Sequence, residues 1–426
     1  MELKHLGNAM LLLCLLGALC NNTQAAPIRI TLDTLKNCTQ GTVAGLTTDC
    51  CPAPDIDLNV PVVDFIPNRD RVPGHRVRKA LQCLSGEELE AYTQKLTKGY
   101  QLMRALPASD PRSLVQQLRI HCAYGSGAFS QDGLNATNGY TIDIHSNWHF
   151  LPWHRAFVYF HERILQKLID DSTFSLHFWN FDNTLDGTKL NGVEGNGQGC
   201  FKPGHFFPDV YNDASTSTFV PGPDRHPRTR VPNATVDLTI IAGMPQSNIT
   251  VKFPAESIPG NRKAMYEAMQ RGSTSRDFFG IPIKYGTQRN FALSGGGSLE
   301  ARPHNSWHRW VGGLQRIPST ATADPIFYVA HGNAERLWDV WMGIGDNRKL
   351  QPTDPDWLDT EFLFWDENQV LRRIKIRDLL SLSDLGYSYE KVYDESWMSW
   401  PDYSTIATVS ASLSICVHHH RPSAEQ

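Results

Sequence analysis

The sequence predicts a mainly α fold: a helical core wrapped by long loops, with a small C-terminal β-containing segment. Three observations predict it. Glu87–Leu106 and the second half of His145–Leu168 repeat apolar residues at helical spacing. A further stretch opens with Asp324-Pro325, a good N-cap followed by a good first helical residue. Beyond Trp357 the pattern shifts toward strand alternation, in Phe362-Leu-Phe-Trp and in Leu371–Ile376.

The chain has 426 residues, 41% hydrophobic and 20% charged, with a formal net charge of −4. That length suffices for a large core and a second, smaller domain. Without a basic excess, nucleic acid is not an expected partner. Lys4 and His5 precede the apolar run Met10–Leu19, and Ala25 and Ala26 follow, so residues 1–25 read as a secretory signal. The run is too short to span a bilayer, no later stretch is long enough, and a membrane is not an expected partner. Sequons at Asn37, Asn135, Asn233 and Asn248 agree with export. Beyond the leader's Cys14 and Cys20 stand Cys38, Cys50, Cys51, Cys83, Cys122, Cys200 and Cys416. An oxidising compartment favours disulfides, and the odd number leaves at least one thiol free or paired with another molecule.

Taken in order, residues 26–70 read as an extended arm pinned by Cys38, Cys50 and Cys51. Ser85 is the expected N-cap of a helix with Leu89, Tyr92, Leu96 and Met103 on its apolar face. Asp110 opens the next helix, which carries Leu114, Leu118 and His121, and Tyr124–Asn147 reads as loop. An amphipathic helix follows, with Phe157, Phe160, Ile164, Leu165 and Leu168 as its stripe, His154 at its start and His161 two turns on. Gly187–Pro259 reads as loops packed around the core, Lys263–Gln270 as a short helix and Ser294–Ser298 as a turn. His331 lies on the helix after Asp324, facing with Phe327 and Leu337, and Gly343–Pro355 reads as a linker.

The chemistry centres on Pro303–Gly312, P-H-N-S-W-H-R-W-V-G. His304 and His308 are four apart, which on a helix puts both imidazoles on one face. Asn305 stands where the zinc-protease motif needs its Glu, so that motif is excluded. A lone H-x-x-x-H is a weak signal, most often one packed and one wet histidine. The rest of the chain changes that balance, because it supplies further helical histidines in two groups.

Those groups lie in stretches that carry a resemblance. D-L-N-V-P-V-V-D-F (Asp57–Phe65), H-C-A-Y-G (His121–Gly125), H-S-N-W-H-F-L-P-W-H-R (His145–Arg155), F-H-E-R-I-L (Phe160–Leu165), F-W-N-F-D (Phe178–Asp182), P-H-N-S-W-H-R-W and D-P-I-F-Y…H-G-N-A-E-R-L-W occur in order. With D-W-L-D-T-E-F-L-F-W-D-E-N (Asp356–Asn368), this pattern resembles the plant polyphenol oxidases, the tyrosinase and catechol oxidase family of type-3 copper enzymes. The resemblance implies a four-helix-bundle dicopper core. It implies His121, His145 and His154 as ligands of the first copper, and His304, His308 and His331 as ligands of the second. Imidazole suits copper, and three nitrogens per ion leave positions for dioxygen, the co-substrate. The implied activity is oxidation of o-diphenols to o-quinones, with small phenols as partners. The same resemblance supplies two residues for monophenol hydroxylation, Glu300 and Asn305, which hold a water between them, and places Arg309 where substrate access is tuned. An oxygen carrier of the haemocyanin kind, or a degenerate member without a competent site, is the alternative.

The resemblance further implies disulfides Cys38–Cys51 and Cys50–Cys122, each stabilising by about 3 kcal/mol. It divides the chain into signal (1–25), dicopper domain (26–345), a short following segment (346–400) and an unmatched tail (401–426) in place of the shielding domain of plant members. The leader points to the secretory pathway, vacuole or cell wall, rather than the plastid lumen of other members. Several positions depart from the family pattern. Gly125 replaces the Cys that forms a thioether with a ligand histidine, leaving His145 freer to move. Ala330 replaces the first of two adjacent histidines, and Glu335 an Asp beside Arg336. The loop Leu314–Ala323 lacks the family's gatekeeper Phe. His149 and His161 are extra histidines expected off the metals, and His177, His205, His226 and His418–His420 read as solvated or tail residues.

Overall fold

A long helix whose every face is covered lies at the centre. The computed structural model describes residues 26–399, except 37–40, 44–45, 49–56, 136–137, 185–201, 223, 272–273, 289–295, 345–348 and 393–395. Its principal helices are α1 (Gly86–Ala105), α2 (Leu114–Gly125), α3 (Phe150–Ile169), α4 (Pro254–Tyr266), α5 (Asn305–Val311) and α6 (Ile326–Gly343). α1 and α6 pack on α3, and α2 meets it through His121 against Trp153 and Phe157. The stripe expected on α3 is an underestimate: Phe150–Gln166 is buried all round. α1 and α6 cover two of its sides and a strand pair a third.

α1 buries Tyr92, Leu96, Gly99, Tyr100 and Met103 at helical spacing, while Leu89 is left exposed. Gly99 permits close approach to α3, since a Cβ there would stand 3.0 Å from a Leu165 methyl. Ser85 occupies the N-cap without a side-chain bond. α2 starts at Leu114, later than expected, because Asp110 turns back to accept from the Arg112 N–H and Ser113 caps the helix instead. It also runs on to Gly125, into the stretch read as loop, where Phe129–Ser130 pairs with Thr141–Ile142.

The arm contributes more than an extended tether. Strand β1 (Val62–Asp64) and strand β2 (Arg76–Arg78) come from it or just after it; β3 (Glu361–Trp365), β4 (Leu371–Lys375) and β5 (Tyr387–Tyr389) come from the far end. β3 and β4 form an antiparallel pair, β1 joins β4 in parallel, and β2 pairs with β5 in parallel. Both ends of the described chain are thereby tied into one core. Trp357 is fully buried and donates its ring N–H to the Trp148 carbonyl at 3.0 Å. The stretch read as linker is anchored as well, with Lys349 donating to the Met269 carbonyl at 2.7 Å.

Gly187–Pro259 does more than wrap the core. Phe207, Tyr211, Val236, Leu238 and Ile240 are core residues. Their short turns bury one or two side chains each, which leaves no period to read. α4 begins well before Lys263, with Pro254 at its first turn and Pro259 tolerated inside. Cys122 and Cys83 are both disulfide-bonded. Cys38, Cys50 and Cys51, expected in the pairs Cys38–Cys51 and Cys50–Cys122, lie outside the described residues. No helix among the described residues is long and apolar enough to cross a membrane.

Burying α3 on all sides also buries its charges, and each has a countercharge. Glu162 takes Arg78 at 2.9 Å, Arg163 takes Glu367 at 2.6 Å, and Arg155 reaches Glu335 at 3.2 Å while stacking over Trp338. Glu335 also takes Arg78, Tyr387 and Tyr389. It does not pair with its neighbour Arg336, which turns to Asp182 at 2.9 Å. Glu335 is thus the joint between α3, α6, β2 and β5. Glu335→Gln leaves two buried guanidinium groups under-compensated. Unfolding in denaturant is expected to report a loss of about 3–5 kcal/mol.

Candidate metal centre

Five of six histidines are aimed by a hydrogen bond from Nδ1. His154 and His331 sit on α3 and α6, and each Nδ1–H donates to the carbonyl four residues back, Phe150 and Phe327, at 2.8 Å. His121 on α2 donates to the Pro318 carbonyl and His308 on α5 to the Gln315 carbonyl, both at 2.8 Å. His304, at the cap of α5, donates to Asn305 Oδ1 at 3.1 Å. These bonds commit Nδ1 as donor and leave Nε2 with its lone pair.

The lone pairs converge. Nε2 of His304 stands 3.0 Å from Nε2 of both His308 and His331, and Nε2 of His154 stands 3.4 Å from that of His121. Nitrogens of His121, His145 and His154 lie within 4.8 Å of one another, as do those of His304, His308 and His331. Nitrogens whose other ring position is already donating have no proton to share across such gaps. A cation between them resolves the repulsion, so this donor set fits a metal in each triad. His154 stacks on His331 at 4.4 Å between ring centroids, which sets the triads side by side.

Burial tunes these rings for metal. It pushes His121, His154, His308 and His331 well below the usual histidine range, and His304 down to about 3, with neighbouring imidazoles adding to the effect. Neutral imidazole is the ligating form. His145 behaves differently. Burial lowers it too, but the carboxylates of Asp143 and Glu300 outweigh that and raise it. It comes from a loop, and its Nδ1 is 3.6 Å from Asp143, beyond hydrogen-bond reach. It is therefore the least restrained of the six. Gly125 lies directly behind it: a Cβ there would stand 2.8 Å from His145 Cε1.

A cavity of about 240 Å³ opens onto His121, His145, His304 and His308. Glu300, Asn305 and Arg309, all singled out in the sequence, line it. Glu300 is buried, accepts from the Ser146 N–H through Oε1 at 2.6 Å, and has no partner for Oε2. Burial pushes its carboxyl up to about 7. Arg309 is half-buried at the rim, where its guanidinium donates to the Met244 carbonyl at 3.1 Å.

The other histidines stay outside the triads. His149 and His161 are both fully buried; His161 lies between Tyr100 and Gln117 and stacks on Tyr328. His205 was expected in solvent but is buried, bonded to the Asn183 carbonyl. His177 is partly covered and accepts from the Lys79 N–H, and half-buried His226 caps a short helical turn. These corrections share one cause: the surrounding loops fold back onto the core, which composition alone does not reveal. His418–His420 lie outside the described residues. The sequence reading missed Gln315 and Pro318, because their contribution is a backbone carbonyl with no side-chain signature. Phe150 and Phe327 were findable, each lying four residues before a helical histidine.

Comparison with known proteins follows the same lines. The family model for the common central domain of tyrosinase matches residues 111–344, and that for the polyphenol oxidase middle domain matches residues 351–402. The chain is 36% identical over 383 residues to aureusidin synthase of Antirrhinum majus, covering 88% of this chain and 60% of that protein. It is 35% identical over 365 residues to a chloroplastic polyphenol oxidase of Malus domestica, covering 83% of this chain and 53% of that protein. The chain thus spans little more than half the length of these curated relatives. The crystal structure of Grenache (Vitis vinifera) polyphenol oxidase matches at a TM-score of 0.71 and 32% identity, covering 88% of this chain and 100% of that one.

The close backing of His145 generates a test. Gly125→Ala forces the imidazole out of place, since a Cβ cannot sit 2.8 Å from Cε1. Copper affinity of the first triad is expected to fall by about tenfold or more, read by competition with a chelator.

Proposed function

The chain belongs to the tyrosinase family, and on that premise we propose that it is a type-3 copper oxidase. It uses dioxygen to oxidise o-diphenols to o-quinones and carries the residues for hydroxylating monophenols. The observation that carries this reading is the pair of histidine triads beside one cavity, with five of the six rings held toward the neutral form by burial. His121, His145 and His154 hold one copper; His304, His308 and His331 hold the other. When bound, the copper pair supplies the two-electron chemistry with dioxygen.

The protein's own groups do the rest. The carbonyls of Phe150, Phe327, Gln315 and Pro318 fix ring orientation and tautomer, so that the ligating nitrogens are preset. Asn305 does the same for His304. Glu300 is the general base. Its Oε1 is held by the Ser146 N–H, while Oε2 is left to accept a proton. With its carboxyl raised to about 7, it takes up and returns a phenolic proton more readily than an ordinary carboxylate. A water oriented by Glu300 and Asn305 passes that proton from the phenol. The apolar walls around the triads, with Trp307 on His308 and Phe327 on His331, keep bulk water from the rings.

The polyphenol oxidases of Malus domestica and Vitis vinifera are named as chloroplastic. For this chain we favour the secretory route, to vacuole or cell wall. The supporting features are the leader pattern of residues 1–25 and the disulfide-bonded state of Cys83 and Cys122.

Oxygen uptake by the copper-loaded chain tests the proposal. Uptake is expected with an o-diphenol and with a monophenol. Glu300→Gln is expected to slow the monophenol reaction about 100-fold and the diphenol reaction less. No uptake with copper bound at both triads would contradict the oxidase reading and leave an oxygen carrier or a decayed site.

A further inference from the structure

Five of the six triad rings have a neutral acceptor for Nδ1–H, whereas His145 has a carboxylate beside its Nδ1. That nitrogen is buried without a hydrogen bond, and Asp143 Oδ1 stands 3.6 Å from it. The carboxylate is held in place, because Oδ1 accepts the backbone N–H of His145 at 2.9 Å and Asp143 directly follows the strand Thr141–Ile142. The backbone between them is held too. The Ile144 N–H donates to the Tyr124 carbonyl at 3.3 Å, and Asn147 Nδ2 donates to the carbonyls of Asp143 and His145 at 2.7 and 2.8 Å. What is left loose is the imidazole itself, since Gly125 behind it has no side chain to grip it. A shift of about 0.8 Å brings Nδ1 and Oδ1 into the range of a charge-assisted hydrogen bond. Two other acceptors face the ring, the Gly125 backbone and the Glu300 carboxylate, and Asp143 acts on it more strongly than either.

We propose that Asp143 is the positioning residue of the first triad, taking the Nδ1–H of His145 when a copper ion binds at Nε2. The inference rests on reading the triads as copper sites and assigns the outer partner of one ligand. A cation on Nε2 polarises the opposite N–H and draws it toward a carboxylate. The carboxylate in return steadies the ring and makes it a stronger donor to the metal. The two sites then differ in kind. One has a carboxylate-backed ligand, and the other has only the neutral acceptors Asn305, Gln315 and Phe327. The competing role for Asp143 is to form a turn, because a side-chain oxygen on the N–H two residues ahead is the bond of an Asx turn. Asparagine makes that turn as well as aspartate but brings no charge, so one substitution separates the two roles.

The test reads copper(II) binding rather than turnover, on the full chain with one triad disabled at a time. His308→Ala leaves the first triad intact, so that its single copper(II) ion is read by paramagnetic resonance and by competition with a chelator. Adding Asp143→Asn is expected to weaken that ion's binding about tenfold and to shift its hyperfine splitting. Adding Asp143→Glu instead keeps the charge and strains the turn, and affinity is expected to stay within about threefold of the chain with Asp143. His121→Ala leaves the second triad intact, and there Asp143→Asn is expected to change affinity by less than about twofold. Affinity and splitting untouched by Asp143→Asn at the first triad overturn the proposal and leave Asp143 a turn former, with the Gly125 backbone as the acceptor. A greater loss with Asp143→Glu than with Asp143→Asn, or equal losses at both triads, overturns it as well. Failure of both single-triad chains to hold copper with Asp143 intact defeats the copper reading itself, and the inference with it.

Discussion

Everything at the site depends on where six imidazoles keep their protons. A buried histidine stripped of water must place its N–H on an acceptor, and the acceptor it finds decides which nitrogen is left to bind. Four of the six use backbone carbonyls, one uses an asparagine, and the resulting lone pairs meet in two groups. The segment 313–321 is central to this arrangement. Its Gln315 carbonyl serves a histidine of one triad and its Pro318 carbonyl a histidine of the other. One short connection therefore sets rings on both sides of the centre, and its Arg316 lines the rim.

Holding such a site requires a rigid frame, and α3 provides it at an electrostatic cost. A helix buried on every face cannot leave Arg155, Glu162 and Arg163 in water. The solution is a set of countercharges drawn from distant segments: Arg78 from β2, Glu335 from α6 and Glu367 after β3. Such pairs add little net stability over apolar packing, but each becomes expensive once its partner is lost. They also tie the two ends of the described chain to the helix that bears His154. His145 is the contrast. It sits on a loop, makes no well-formed hydrogen bond from its Nδ1 and rests against a glycine.

The sequence was informative where periodicity or spacing carried the signal. The mainly helical fold, α1, α3, the strand character of β3 and β4 and the His304–His308 spacing were all legible. The six candidate ligands and Glu300 were legible through resemblance; the six gather in two triads, and four of them line one cavity with Glu300. What escaped was tertiary. Nothing in Gly187–Pro259 announced that Val236 and Leu238 are core, because irregular turns have no period. His205 looked solvated by composition yet is buried. Adjacency of Glu335 and Arg336 did not reveal their partners, since neighbouring helix positions face apart and the two pair with Arg155 and Asp182. The carbonyls of Gln315 and Pro318 had no residue-type signature at all.

The most direct measurement is a crystal structure of the copper-loaded chain with anomalous scattering at the copper edge. The account expects two ions, each bonded to three histidine nitrogens: one set from His121, His145 and His154, the other from His304, His308 and His331. A single ion, or copper held by other histidines such as His149 or His161, would contradict it.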